Sequence, residues 1–139
     1  MRPRTMTVTL TVVNGPRAGL EYELPELGIY VVGRGEDCYP RLPNELPYKD
    51  VSRHHCLVSI HRSEVWVRDL HSRNGTYVNG EQIGQRAGLG TAAADGLTAM
   101  VTLHDDPTGW HPLKHGDVIA LGHNTVLRVR VHVLEEVGA

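Results

Sequence analysis

The sequence predicts an all-β sandwich, and three observations lead there. Apolar and polar residues alternate with a period of two in segment after segment. Clusters of Gly, Pro, Asn, Asp and Ser separate those segments at short intervals. No stretch sustains the 3.6-residue apolar period of an amphipathic helix. At 139 residues the chain has the length of one domain, enough for a single core without disulfide staples.

The elements follow in order. From Thr7 to Val13, threonines alternate with Val8, Leu10 and Val12, which share one face of a first strand. The turn cluster Asn14-Gly15-Pro16-Arg17-Ala18-Gly19 leads into a second strand. There Leu20, Tyr22 and Leu24 oppose Glu21 and Glu23, making a hairpin. Gly28 to Val32 is a third, more apolar strand that ends at Gly33-Arg34. A loop bearing Pro40, Pro43 and Pro47 runs from Gly35 to Asp50. Cys56, Val58 and Ile60 then oppose Leu57, Ser59 and His61. Past a turn at Arg62-Ser63-Glu64, residues Val65, Val67 and Asp69 oppose Trp66, Arg68 and Leu70. A short strand at Gln82-Ile83 follows Gly80, and Val118–Leu121 and Val126–Val133 close the domain, which is expected to span residues 6–135. In the last strand Leu127, Val129, Val131 and Val133 share one face.

Residues 84–112 are expected to be an insertion, rich in Ala, Gly and Thr. Loops beyond about 12–15 residues without internal structure are usually functional or disordered. Here Leu97, Ala99, Val101 and Leu103 alternate with Thr98, Met100 and Thr102 before a turn at Asp105–Gly109, which predicts an extra hairpin.

Composition narrows the function classes. A net charge of −2 argues against a nucleic-acid binder, which needs a broad basic face. No apolar run is long enough to cross a bilayer, so no membrane partner is expected. Met1-Arg2-Pro3-Arg4 precedes alternating Thr and Val/Leu instead of a signal-peptide core, so export is not expected. With Cys38 in a loop and Cys56 in a strand, a disulfide framework is not indicated and a cytoplasmic location is the simpler reading. The nine histidines are scattered along the chain and there is no Cys-x-x-Cys, so neither a metal nor a cofactor is expected. Gly-x-Ser-x-Gly and the Walker phosphate loop are both absent, which argues against an enzyme.

What remains is a binding site. Val51-Ser52-Arg53-His54-His55 and His71-Ser72-Arg73-Asn74-Gly75-Thr76-Tyr77-Val78-Asn79-Gly80 are two polar loops bracketing a hairpin, with Gly33-Arg34 upstream. Small hydroxyl and amide groups beside arginines suit a fixed tetrahedral anion. Arg34 offers a forked guanidinium on a strand end, and Ser52 offers a hydroxyl. Arg53 and Arg73 raise the local potential, and Asn74 offers both a donor and an acceptor to a peptide backbone. Taken singly these residues say little. A loop arginine is usually a solvated charge, and Ser and Asn are ordinary turn formers. Only their co-occurrence favours a ligand.

The set Gly33-Arg34, Ser52-x-x-His55, Asn74-Gly75-Thr76-x-x-Asn79-Gly80 and Gly116-Asp117-x-Ile119-x-Leu121-Gly122, in this order, resembles the forkhead-associated (FHA) domain, a phosphothreonine-peptide reader. The resemblance covers nearly the whole chain apart from its ends and the insertion. It implies two packed sheets with the recognition loops at one end. It further implies that Arg34 and Ser52 hold the phosphate, with Arg53 and Arg73 assisting and Asn74 on the peptide backbone. Asn79 is placed at the site's edge, His55 is expected to lock the Ser52 loop, and Thr76 is expected to tie its own loop. Gly33 belongs to the same framework, while Gly75 and Gly80 would allow positive φ. The implied partner is a phosphothreonine-bearing protein, a Ser/Thr kinase or its substrate, met by a monomer. Lys49 and Asp50 lie where the family senses a side chain beyond the phosphothreonine, and their opposite charges leave its sign open. The rival reading is a phosphate-independent interaction module using the insertion or an edge strand. In a third, Thr5 is phosphorylated and captured by another copy.

Overall fold

The computed structural model describes residues 4–24, 27–86 and 109–135. Among these residues, ten strands form two antiparallel sheets: β1 (Arg4–Val12), β2 (Glu21–Leu24), β3 (Gly28–Val32), β4 (Cys56–His61), β5 (Glu64–Asp69), β6 (Thr76–Val78), β7 (Glu81–Gly84), β8 (His111–Leu113), β9 (Val118–Leu121) and β10 (Thr125–Glu135). One sheet has the order β2-β1-β10-β9-β6-β7 and the other β3-β4-β5-β8. The predicted sandwich is the fold.

The core follows the period-two pattern. Val8, Leu10 and Val12 pair with Val131, Val129 and Leu127 across β1 and β10, while Leu24 and Tyr22 sit beside Val8 and Leu10 from β2. From the facing sheet come Val32, Cys56, Val58, Ile60, Val65 and Val67, all buried. Full burial of one such side chain contributes roughly 1.5–3 kcal/mol, so this double layer dominates stability. The pattern fades at the rim, where Val133 is exposed although it continues the inward face.

The smaller sheet is covered on both sides at one end. Leu57 and Leu70 are buried outside the main cluster, and Arg68 is buried with its guanidinium 5.9 Å from the centre of the Trp110 ring. Strands β6 and β8 were not expected. Each has three residues, too few for a periodic pattern, and β8 contains Pro112 opposite Trp66 at the sheet edge. The two ends of the 84–112 segment thus lie in strands. The hairpin predicted around Leu97–Leu103 lies outside the described residues, as does most of the turn that follows it.

The long loop after β3 is pinned to the core. Leu42, Tyr48 and Val51 are all buried, and Tyr48 stands in a 3-10 turn, Tyr48–Asp50. Its hydroxyl donates to the Asn14 carbonyl at 2.9 Å and accepts the Arg17 N–H at 2.7 Å. One phenol thereby ties the β1–β2 turn to the segment that leads into Ser52. Tyr22 makes a second tie, donating to the Arg41 carbonyl at 2.8 Å.

Burial pushes the Tyr22 phenol up to about 12, with smaller contributions from Tyr39 and Tyr48. The fold thus prefers the neutral phenol. Its contribution is complete below the unfolded value near pH 10 and is lost as pH rises from there towards 12. Urea midpoints measured across that window should fall more steeply for the wild type than for Tyr22→Phe, and parallel curves would refute the assignment.

Candidate phosphopeptide-binding site

Two loops and a strand end meet at one end of the sandwich because backbone hydrogen bonds lace them together. The His55 N–H donates to the Val32 carbonyl, Arg34 N–H to Ser52 and Gly35 N–H to Arg53, at 2.8, 3.1 and 2.9 Å. Gly33 is required by this close approach. A Cβ there would lie 2.1 Å from the Arg53 carbonyl oxygen, a backbone atom with little freedom to yield. Gly33→Ala should therefore cost about 2–3 kcal/mol, read as a lowered Tm. An unchanged Tm would mean that the two segments separate freely.

His55, fully buried, is the pin between the loops. Its Nδ1 accepts the Ser52 N–H at 3.0 Å, and its Nε2–H donates to the Gly75 carbonyl at 2.8 Å. Only the neutral Nε2–H tautomer satisfies both contacts. Burial pushes the imidazole below its ordinary value, which agrees with that tautomer.

The second loop is built on Asp69, at the end of β5. Its carboxylate accepts from the Ser72 hydroxyl and N–H and from the Thr76 hydroxyl, the last at 2.6 Å. Ser72 Oγ in turn accepts the Gly75 N–H at 3.0 Å. Gly84 packs over this carboxylate, where a Cβ would come within 2.6 Å of the Asp69 Cβ. Thr76 thus ties its loop through Asp69, a residue the sequence reading missed. An acid at a strand end followed three residues later by Ser is a local side-chain-to-backbone pattern and was the available signal.

On this framework Arg34, Lys49, Asp50, Val51, Ser52, Arg73 and Asn74 line an open cleft of about 310 Å³. Arg34 directs Nε–H to the Val51 carbonyl and Nη1–H to Asn44 Oδ1 at 2.7 Å. Two of its five N–H donors are thus engaged among the described residues, and three are left. Ser52 Oγ accepts the Arg73 N–H at 3.0 Å, leaving its own proton to donate. Asn74 Nδ2–H donates to the Asp50 carbonyl at 3.0 Å. Because a carbonyl only accepts, that bond fixes the amide's orientation, and no described residue donates to Oδ1.

Asp50, the cleft's acid, is occupied. Its carboxylate accepts the His123 N–H at 3.2 Å and the Asn124 side-chain N–H at 2.9 Å, bracing the β9–β10 turn. Three cations against one committed carboxylate leave the cleft positive.

Two expected residues stand elsewhere. Arg53 is exposed in a neighbouring cleft of about 590 Å³ that shares Arg34 and also holds Asp37, Arg41 and His54. Asn79 is not part of the cleft lining. It sits at φ 50° in the β6–β7 turn, where its Nδ2–H donates to Asp117 at 3.0 Å and its Oδ1 accepts the Val118 N–H at 3.0 Å. Gly75 and Gly80 have φ of 92° and 88°.

A model of the FHA domain matches residues 30–91, which include the end of β3 and both loops. A solved structure described as a structural and functional analysis of phosphothreonine-dependent FHA domain interactions is 31% identical. It superposes with a TM-score of 0.62 over 91% of this chain and 97% of that one. The chain belongs to the FHA domain family.

As an FHA domain it is a binding module and not an enzyme. The FHA domain-containing protein FhaA of Mycobacterium tuberculosis is 32% identical over 126 residues, 91% of this chain and 18% of that protein. The human proliferation marker protein Ki-67 is 31% identical over 118 residues, 85% of this chain and 3% of that protein. This FHA domain thus spans less than a fifth of the curated relatives it matches. The crystal structure of the FhaA FHA domain complexed with the intracellular domain of Rv3910 matches with 31% identity and a TM-score of 0.60, covering 88% of this chain and 99% of that one. No helix among the described residues is long and apolar enough to cross a membrane.

Proposed function

We propose that this FHA domain reads phosphothreonine in a partner peptide, with Arg34 and Ser52 holding the phosphate. The observation that carries the reading is the convergence of Arg34, Ser52, Arg73 and Asn74 on one positive cleft, each with hydrogen-bonding capacity to spare. A phosphothreonine brings about −1.5 to −2 charges and three strong acceptor oxygens. Arg34 is pre-aimed by Val51 and Asn44, so little of its side-chain entropy remains to be lost on binding. Asn74 Oδ1 can accept an N–H of the peptide backbone. Lys49 and Arg73 supply charge at the rim, and Arg53 supplies it from the adjoining cleft. With Asp50 committed to the β9–β10 turn, Lys49 is the free charge at the position that senses the flanking side chain, which favours an acidic residue there. Asn79 supports its turn instead of touching the peptide, since both ends of its amide are engaged.

A few charge-assisted bonds of about 1.5–3 kcal/mol, less the ordering cost, lead to affinity near micromolar. The partner is a Ser/Thr kinase or its substrate, met by a monomeric domain in the cytosol. Fluorescence polarisation with matched peptides bearing phosphothreonine, phosphoserine or threonine tests this. Selective binding of the phosphothreonine peptide is expected. Equal binding of the unphosphorylated peptide, or partner binding that survives phosphatase, would favour the phosphate-independent module.

A further inference from the structure

Behind Arg34, the fold brings one distant side chain against an adjacent pair. Asp37 and Cys38 lie in the turn after β3, where the Cys38 N–H donates to the Gly35 carbonyl at 3.0 Å. His54 comes from the Ser52 loop. The carboxylate, thiol and imidazole ligand atoms all lie within 4.8 Å of one another. Only their fold-level meeting reveals the group, because no pair among the three has a metal-site spacing.

We propose that Asp37, Cys38 and His54 form a binding site for a zinc-class divalent ion. A thiolate and an imidazole select borderline-soft ions over calcium or magnesium, and one sulfur, one nitrogen and one oxygen suit three corners of a tetrahedron. Burial is graded accordingly. Cys38 is 6% exposed, and the side chains of His54 and Asp37 are 14% and 51% exposed. The fourth corner is left to solvent on the side of the neighbouring cleft. A thiolate and a carboxylate with neutral imidazole cancel the two charges of the ion, so the loaded site is neutral beside Arg41 and Arg53.

The adjustment needed is small. Asp37 and His54 Nε2 are in contact at 2.8 Å, and two ligands about 2.05 Å from one ion stand roughly 3.3 Å apart. That pair must open by about half an ångström. Cys38 now donates its thiol proton to the Arg53 carbonyl at 2.9 Å. Binding sends that proton to solvent and forms the metal–sulfur bond, and the carbonyl keeps the Gly35 N–H as a partner. The ion clasps the turn after Arg34 to the loop that carries Ser52. The site stands whether or not the cleft takes a phosphate.

The test uses the whole chain, tag-free, reduced and stripped of metal, titrated with Co²⁺. One equivalent should produce a thiolate-to-cobalt charge-transfer band that Zn²⁺ then bleaches. Cys38→Ser should abolish the band, Cys56→Ala should keep it, and His54→Ala should weaken binding by roughly 100-fold. Should Cys38→Ser fail to fold, the wild-type titration and His54→Ala, a change in a loop, still decide. A folded wild type without the band, or a band that persists in Cys38→Ser, overturns the site.

Discussion

Arg34→Ala is expected to abolish measurable phosphopeptide binding, weakening it by about 100-fold or more, while the domain stays folded. The guanidinium can give the phosphate at least two charge-assisted bonds of about 1.5–3 kcal/mol each, and tenfold in affinity is 1.4 kcal/mol. The structural cost is modest, since the lost contacts to Val51 and Asn44 lie at a part-exposed rim that water can reach. Arg34→Lys should rescue little. A single ammonium cannot both reach the Val51 carbonyl and fork towards an anion. Calorimetric titration with a phosphothreonine peptide, beside a thermal melt of each variant, checks this. Arg34→Ala protein that melts like the wild type and binds like it would remove Arg34 from the site.

His55→Ala is expected to be the most damaging single change to the framework, costing about 3–5 kcal/mol. It empties a fully buried volume and orphans two backbone groups, the Ser52 N–H and the Gly75 carbonyl, at about 1–3 kcal/mol each. For a domain of this size the Tm should fall by roughly 10–15 °C. Even below the melting range, binding should weaken, because Ser52 and Asn74 would no longer be held in register across the cleft. Denaturant unfolding and a titration at low temperature separate the two effects. A loss of stability with unchanged affinity would show that the loops keep their geometry without the imidazole.

Much of this was legible in the sequence, for a physical reason. A strand that buries one face must alternate, so β1, β2, β4, β5 and β10 are visible as period-two runs, and β3 and β9 as short apolar ones. The polar loops stood out because hydroxyls, amides and arginines were gathered where a sandwich gathers its loop ends. Strands β6 and β8 were hidden, since three residues carry no period. Tyr48 was hidden as well. A phenol in a proline-bearing loop is unremarkable until the β1–β2 turn is seen to close on its hydroxyl.

By itself, then, the sequence determined the all-β architecture, the inward faces and the membership of the two recognition loops. These are local properties, written in alternation and turn chemistry. Only the tertiary structure decided how the residues of those loops are shared out. It put Arg73 and Asn74 in the cleft with Arg34 and Ser52, sent Arg53 to the neighbouring cleft, and committed Asp50 to the β9–β10 turn and Asn79 to its own. It also brought Cys38 and Asp37 against His54, and set Asp69 beneath the second loop. Such choices depend on which segments meet across sheets far apart in the chain. No local pattern encodes that meeting, because it follows from closing one core around all ten strands at once.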